Sequence, residues 1–350
     1  MSHWQRLISL SAIPLLVACG GDLPGFRVDE TSNAFVQNSS VNDKVDMLFV
    51  IDNSGSMAEE QAALADNFET FITEFSSRDL DFRIGIIATD NRDTPAWWAG
   101  APYAGILNDG AGSLLSKYAS YRWLSPETPS LVDKFKDNIQ LGTSGSGYEM
   151  PITALNTAIT TKAATGEWNE NFFRSSAYLA AIIVTDEDES VSTADASYVI
   201  DSNATTAASR ITTLKSNLNT LKGSSSDYSV YTIAAESLAI CPAALGKGEL
   251  VKAAAEELGG EFGSICDDFA DTLVAIGDNI LTALTRFSLA QPPEGDITVT
   301  VNGSLVAQDT THTNGWDYLP ATQEIEFYGA AVPPSGAVID VDYVPAAPLD

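Results

Sequence analysis
The sequence predicts an α/β fold: a doubly wound, mostly parallel sheet with helices on both faces, followed by a small antiparallel β module. Three observations carry this. Between residues 45 and 286, short apolar runs alternate with stretches of helical period. Val45–Ile51, Phe82–Ala88 and Leu179–Val184 are apolar almost throughout, as strands buried on both faces are. From about residue 287 the periodicity changes to two.

The elements follow in order. Val45–Ile51 is a strand ending at Asp52, and 57–75 is a helix whose Leu64, Phe68, Phe71, Ile72 and Phe75 share one face. Phe82–Ala88 is the second strand. A long insertion over about 91–130 holds Trp97, Trp98, Tyr103, Tyr118, Tyr121 and Trp123, and leaves from the carboxyl end of a strand. Such aromatics serve either as partner-binding anchors or as packing for the loop itself. Pro151 suits the first turn of a helix over 151–159. Leu179–Val184 is a strand ending in Thr185 and Asp186. Ile211, Leu214, Leu218 and Leu221 mark a helix, and Tyr228–Ala234 a strand. A helix over 249–258 stops at Gly259 and Gly260, before a short strand, Glu261–Cys266. Phe269, Leu273, Ile276, Ile280 and Leu284 mark the last helix.

In the C-terminal module, over 287–350, Ile297, Val299 and Val301 alternate with threonines, and Asn302-Gly303 supplies a hairpin turn. Ile325 and Phe327 alternate with Glu324 and Glu326, and Ile339, Val341 and Tyr343 with Asp340 and Asp342, which predicts one wet face. His312 falls in an exposed Thr-rich loop of structural character.

Composition narrows the function. With 47 acidic and 18 basic residues in 350, the net charge is −29, which excludes nucleic acid as a partner because phosphate binding needs clustered Lys and Arg. Charged residues are only 19% and hydrophobic ones 45%, so this is globular composition and not a disordered acidic tail. His3, His312, Cys19, Cys241 and Cys266 are too scattered for a His/Cys zinc site. No Gly-rich phosphate loop follows the first strand, which disfavours a nucleotide. An enzyme is not expected, since no general base stands out beyond the acids at 187–189.

Residues 1–18 read as an export signal, with Arg6 ahead of a run from Leu7 to Ala18 that is too short to span a bilayer. Leu16-Val17-Ala18-Cys19 resembles the lipobox of bacterial lipoproteins, in which the cysteine is acylated; Gly20 after it resembles the outer-membrane sorting pattern. Residues 19–43 are then the tether. In an oxidising compartment Cys241 and Cys266 are most simply a disulfide.

In open parallel sheets, ligands bind outside the carboxyl ends of the strands. There the first strand is followed by Asp52-Asn53-Ser54-Gly55-Ser56, one carboxylate and two hydroxyls converging at a tight turn. Oxygen donors of this kind suit Mg²⁺ or Ca²⁺. With this motif and Asp186 at the end of the strand Leu179–Val184, the span 44–286 resembles the von Willebrand factor A domain, which has a Rossmann-like fold. The resemblance implies a metal-ion-dependent adhesion site of Asp52, Ser54, Ser56 and Asp186. It also implies a protein partner whose carboxylate completes the coordination of the cation.

Two departures are visible. The family usually supplies a Thr ahead of the helix that begins near Ala154-Leu155. Here Glu149 stands there, as a metal ligand or a helix cap, with Thr143 or Ser146 as substitutes. The family more often has Gly after the second Asp, whereas here Glu187, Asp188 and Glu189 follow. They form an outer shell for the metal, a second Ca²⁺ site or a solvated loop. The expected protein is a lipid-anchored, metal-dependent protein-binding module of the bacterial envelope. The alternative is a structural or secretion-assembly lipoprotein whose ion only stabilises the fold.

Overall fold
The computed structural model describes residues 35–40, 43–77, 80–89, 121–145, 147–192, 198–200, 204–242, 244, 246–267, 269–334 and 336–346. Residues 1–18, Cys19, Trp97, Trp98 and Ser146 lie outside the described residues, as does the Phe269 side chain.

The sheet predicted from the apolar runs is present. Strands β2 (Lys44–Ile51), β3 (Asp81–Ala88), β4 (Tyr178–Thr185), β7 (Tyr228–Ala234) and β8 (Gly259–Ser264) form one five-stranded sheet in the order β3-β2-β4-β7-β8. Every pairing in it is parallel. Helices α1 (Ala58–Ser77), α2 (Leu131–Ile139) and α6 (Phe269–Leu284) cover one face. Helices α3 (Pro151–Ile159), α4 (Ala204–Lys222) and α5 (Glu249–Glu257) cover the other.

The alternation in β2 shows why both faces need cover. Val45, Met47, Phe49 and Ile51 point into the first layer, and Leu48 and Val50 into the second. Phe49 packs edge-on against Phe68 and Phe71 of α1 and Phe135 of α2, with ring centroids 6.5, 6.4 and 5.2 Å away.

One residue of β2 breaks the apolar run. Asp46 is fully buried, and Arg174 answers it. The Arg174 Nε donates to Asp46 Oδ1 at 2.8 Å and the Arg174 backbone N–H to Oδ2 at 2.6 Å. The same guanidinium pairs with Asp81 at 2.7 Å, and Lys222 Nζ donates to the Arg174 carbonyl at 2.6 Å. This network ties the amino ends of β2 and β3 to α4, at the pole opposite the strand ends that concern function.

Cys241 and Cys266 are joined, linking the loop after β7 to the residues after β8 across a Cα–Cα distance of 5.7 Å. Closing a loop of 25 residues stabilises by roughly 3 kcal/mol on the chain-entropy account. The double variant Cys241→Ser, Cys266→Ser is expected to lose about that much in urea unfolding. A loss under about 1 kcal/mol would show that the buried Cys241 site holds the loop without the cross-link.

The β module contains more of the chain than its sequence pattern shows. β9 (Arg286–Ser288), β12 (Gly315–Leu319) and β13 (Glu324–Tyr328) make one sheet. β10 (Pro293–Val301), β11 (Ser304–Val306) and β14 (Val338–Pro345) make the other, and β1 (Phe35–Ser40) completes it by pairing antiparallel with β14. Phe35–Ser40, assigned to the tether from sequence, is therefore a strand of this module. Phe287, Val299, Trp316, Ile325, Phe327, Ile339, Val341 and Tyr343 form the core between the two sheets.

Glu324 and Glu326, expected on a wet face, are each 5% exposed. Arg286 Nε lies 3.2 Å from Glu326, and Glu324 borders a cleft of about 410 Å³ shared with Tyr178 and Ser229 of the parallel-sheet unit. That face of the module turns inward. His312 behaves as expected: its Nε2 lies 3.0 Å from Asp317 Oδ2, and its ring stacks on Tyr328.

Candidate metal centre
β2 is flanked by β3 on one side and β4 on the other, so the chain reverses its direction of travel across the sheet between β2 and β4. The crevice at such a switch point is where open α/β sheets hold ligands. Asp52 and Asp186 stand there, one residue past the ends of these two strands.

The Asp52 backbone N–H donates to the Val184 carbonyl at 2.9 Å, extending the parallel ladder by one residue. Its carboxylate is held from both sides. Oδ1 accepts from the Ser54 backbone N–H at 2.7 Å, and Oδ2 from the Thr185 hydroxyl at 2.6 Å. Ser54 and Ser56 bring their hydroxyls to 3.1 Å of one another across the exposed Gly55. Asp52 is fully buried, Ser54 is 1% exposed and Asp186 3%. The structure thus brings together the Asp52, Ser54 and Ser56 turn and the strand end that carries Asp186.

Two further residues hold the turn. Gln61 of α1 donates from Nε2 to the Asp52 carbonyl at 2.8 Å and to the Gly142 carbonyl at 3.1 Å, and its Oε1 accepts from the Gly142 N–H at 3.1 Å. The Gly145 N–H donates to the Asn53 carbonyl at 2.8 Å. A Cβ at Gly145 would lie 2.2 Å from Asn53 Oδ1, so only glycine permits this approach.

The candidates for the missing Thr separate. Glu149 is fully buried, and Thr89, just past the end of β3, donates its hydroxyl to Glu149 Oε2. The Thr89 N–H in turn donates to the Ile51 carbonyl at 3.0 Å, so Thr89 links Glu149 to the end of β2. Thr143 is exposed. Trp123 is half-buried, with its ring 5.9 Å from Phe172 and the Arg83 guanidinium 4.9 Å above it. Its neighbour Leu124 bridges Ile84, opposite Met47 in the sheet and well before Asp52. Trp123 packs against the domain.

The acids after Asp186 are not a solvated loop. Glu187, Asp188 and Glu189 are 7%, 4% and 0% exposed. Asp188 accepts from the Leu250 N–H at 2.9 Å and the Val251 N–H at 3.2 Å, at the amino end of α5. Glu189 accepts from the Ile152 N–H at 2.8 Å and the Thr153 N–H at 3.2 Å, at the amino end of α3, and pairs with Arg210 of α4 at 3.2 Å. These helix ends offer free N–H groups and a positive dipole, which offset part of the cost of burying the two carboxylates. After these acids the chain forms a small antiparallel hairpin, β5 (Ser190–Ser192) with β6 (Tyr198–Ile200), which sequence reasoning missed.

The electrostatics of the site are one-sided. Burial, with the Asp186 charge adding, pushes Asp52 up to about 6. Burial followed by the charges of Asp52 and Asp186 pushes Glu187 up to about 7. Glu60, in the first turn of α1, is also raised, by burial and then by the charges of Asp186 and Glu59. The charges that raise these three groups, those of Asp52, Glu59 and Asp186, are all negative. Among the described residues, no three His, Cys, Asp or Glu side chains come together as a metal-binding cluster. The donor set instead combines separated carboxylates with two hydroxyls, all oxygen, and this fits a hard divalent cation.

Sequence reasoning missed Gln61, Thr185 and Glu60 as members of this site. Gln61 left a signal: it continues the apolar stripe of Leu64, Phe68, Phe71 and Phe75, where a polar residue needs a buried partner.

No protein-family model and no curated protein matches the chain. Among solved structures it is similar to the open conformation of the pilus adhesin SpaC from Lactobacillus rhamnosus GG, at 11% identity and a TM-score of 0.41, over 88% of this chain and 40% of that one. It is also similar to proximal thread matrix protein 1 from the mussel byssus, at 10% identity and a TM-score of 0.40, over 73% of this chain and 51% of that one. The chain thus spans about half or less of the length of these structures.

Proposed function
We propose that this protein is a lipid-anchored envelope protein of von Willebrand factor A type that binds Mg²⁺ or Ca²⁺ and, through it, an acidic group of a protein partner. Asp52, Ser54, Ser56 and Asp186 hold the cation, and the lipid on acylated Cys19 anchors the protein in the outer membrane.

 The single observation that carries the reading is the switch-point constellation, where two strand-end carboxylates and two hydroxyls converge and the carboxylates raise one another's proton affinity. A bound divalent cation supplies the missing positive charge and open coordination positions for a partner's oxygen. The chain's own residues do the rest. Thr185 and the Ser54 amide orient the Asp52 carboxylate, and Gln61 and Gly145 fix the turn that presents both serine hydroxyls.

The test is affinity capture of envelope proteins on the mature protein, with and without EDTA. Capture of a partner that EDTA abolishes and Mg²⁺ or Ca²⁺ restores supports the proposal; capture indifferent to chelator overturns it. The depth of Asp52 and Glu187 favours a second reading, in which the ion only stabilises the fold of an envelope assembly protein. That reading predicts a metal-dependent melting temperature without metal-dependent capture.

The site also sets a pH dependence. Asp52, Glu187 and Glu189 are raised to about 6, about 7 and about 7, the last by burial against the opposing pull of Thr153 and Arg210. A carboxylate raised in the folded state binds its proton more tightly there than in the unfolded chain. Its contribution to stability is complete below the unfolded value of about 4 and is lost as pH rises through the folded value. In chelator, the protein is therefore expected to melt at a higher temperature near about pH 5 than near about pH 8. Differential scanning calorimetry checks this. A melting temperature that climbs across the same interval contradicts it.

A further inference from the structure
We infer that Glu187 is a further ligand of the cation site, closing on the ion from within the chain at the position a partner's acid would otherwise take. This rests on the metal reading above and adds to it a residue that the resemblance does not supply.

Four consecutive carboxylates, Asp186 to Glu189, are buried on one loop. Burying a charge is costly unless something of opposite sign answers it. The fold answers Asp188 with the amino end of α5, and Glu189 with the amino end of α3 and Arg210. Glu187 is treated differently. Its side chain is 7% exposed, and among the described residues the influences on its carboxylate include no hydrogen bond. The charges that act on it are those of Asp52 and Asp186.

Its backbone is anchored to the site as well. The Glu187 N–H donates to the Thr185 hydroxyl at 3.1 Å, and the same hydroxyl donates to Asp52 Oδ2 at 2.6 Å. One threonine thus sets the spacing between Asp52 and the Glu187 backbone. Among the described residues, Asp52, Asp186 and Glu187 do not form a cluster of three, and three like charges repel one another at close range. A divalent ion reverses the sign of that interaction and draws Glu187 in.

The consequence concerns the partner. Two carboxylates neutralise a divalent ion, and a third leaves the site with a formal charge of about −1. Such an ion attracts no external carboxylate until Glu187 moves away. Glu187 is then an internal competitor, and partner capture requires its displacement.

Tb³⁺ luminescence on the full mature protein tests this, with decay rates in H₂O and D₂O counting the waters on the bound ion. Glu187→Gln is expected to weaken Tb³⁺ about tenfold or more and to add about one bound water. Glu187→Gly, the residue more usual in the resembled family, is expected to do the same. Three carboxylates only neutralise trivalent Tb³⁺, so acetate titrated into the complex is expected to displace water at lower concentration in both variants, whose site keeps a positive charge, than in the wild type. Melting in EDTA confirms that the variants fold. Equal affinity and equal water count in wild type and variants overturn the role of Glu187 and leave the metal reading standing. Failure of the wild type to bind Tb³⁺, or undiminished binding by Asp52→Ala, overturns both.

Discussion

Asp52→Ala is expected to abolish the stabilisation that Mg²⁺ or Ca²⁺ confers. A ligand that binds only the folded state at about 100 times its Kd stabilises by about 2.7 kcal/mol, which is several degrees in melting temperature for a chain of this size. Asp52 is the one carboxylate of the turn, and both of its oxygens are oriented by hydrogen bonds. Its loss removes a charged ligand and the acceptor that sets the Ser54 amide. The metal-free variant has two opposing changes. The Thr185 hydroxyl and the Ser54 N–H lose a buried acceptor, at about 1–3 kcal/mol, while the repulsion among Asp52, Asp186 and Glu187 is relieved. Thermal melting with and without metal therefore separates the two effects, because only the difference reports binding. Asp52→Asn is the second variant, since it keeps an acceptor for the Ser54 amide and removes the charge. A full metal-dependent shift in both variants would sink the assignment of this site.

Asp46→Ala carries the other large effect, at the opposite pole. Removing one partner of a buried ion pair typically costs about 3–5 kcal/mol, because the remaining charge is left uncompensated. Arg174 retains Asp81 at 2.7 Å, so the loss is expected toward the lower end, about 3 kcal/mol. The Arg174 backbone N–H also loses its acceptor. Urea unfolding measures the change, with metal binding as the control that is expected not to move. A loss under about 1 kcal/mol would show that Asp81 and the backbone carbonyls are sufficient for Arg174.

Much of the fold was legible because its signals are local. Val45–Ile51 reads as a strand buried on both faces, and parallel pairing on both sides with helices above and below requires that. The stripe from Leu64 to Phe75 reads as the buried face of α1 for the same reason. β1 was not legible, since Phe35–Ser40 becomes a strand only through β14, some three hundred residues later. The inward face of β13 was missed because alternation identifies two faces without saying what each one meets.

The site divides along the same line. Sequence by itself determined the strand-end turn Asp52 to Ser56 and the strand end at Asp186, because residue type and position relative to an apolar run are properties of short segments. Tertiary structure alone decided the acids that follow. Asp188 and Glu189 meet the amino ends of α5 and α3, and the Glu187 backbone is tied through Thr185 to Asp52. A run of four acids reads as solvated because burial of charge is expensive. Whether that expense is met depends on helix ends and a guanidinium brought in from distant parts of the chain, and only the packed fold supplies them.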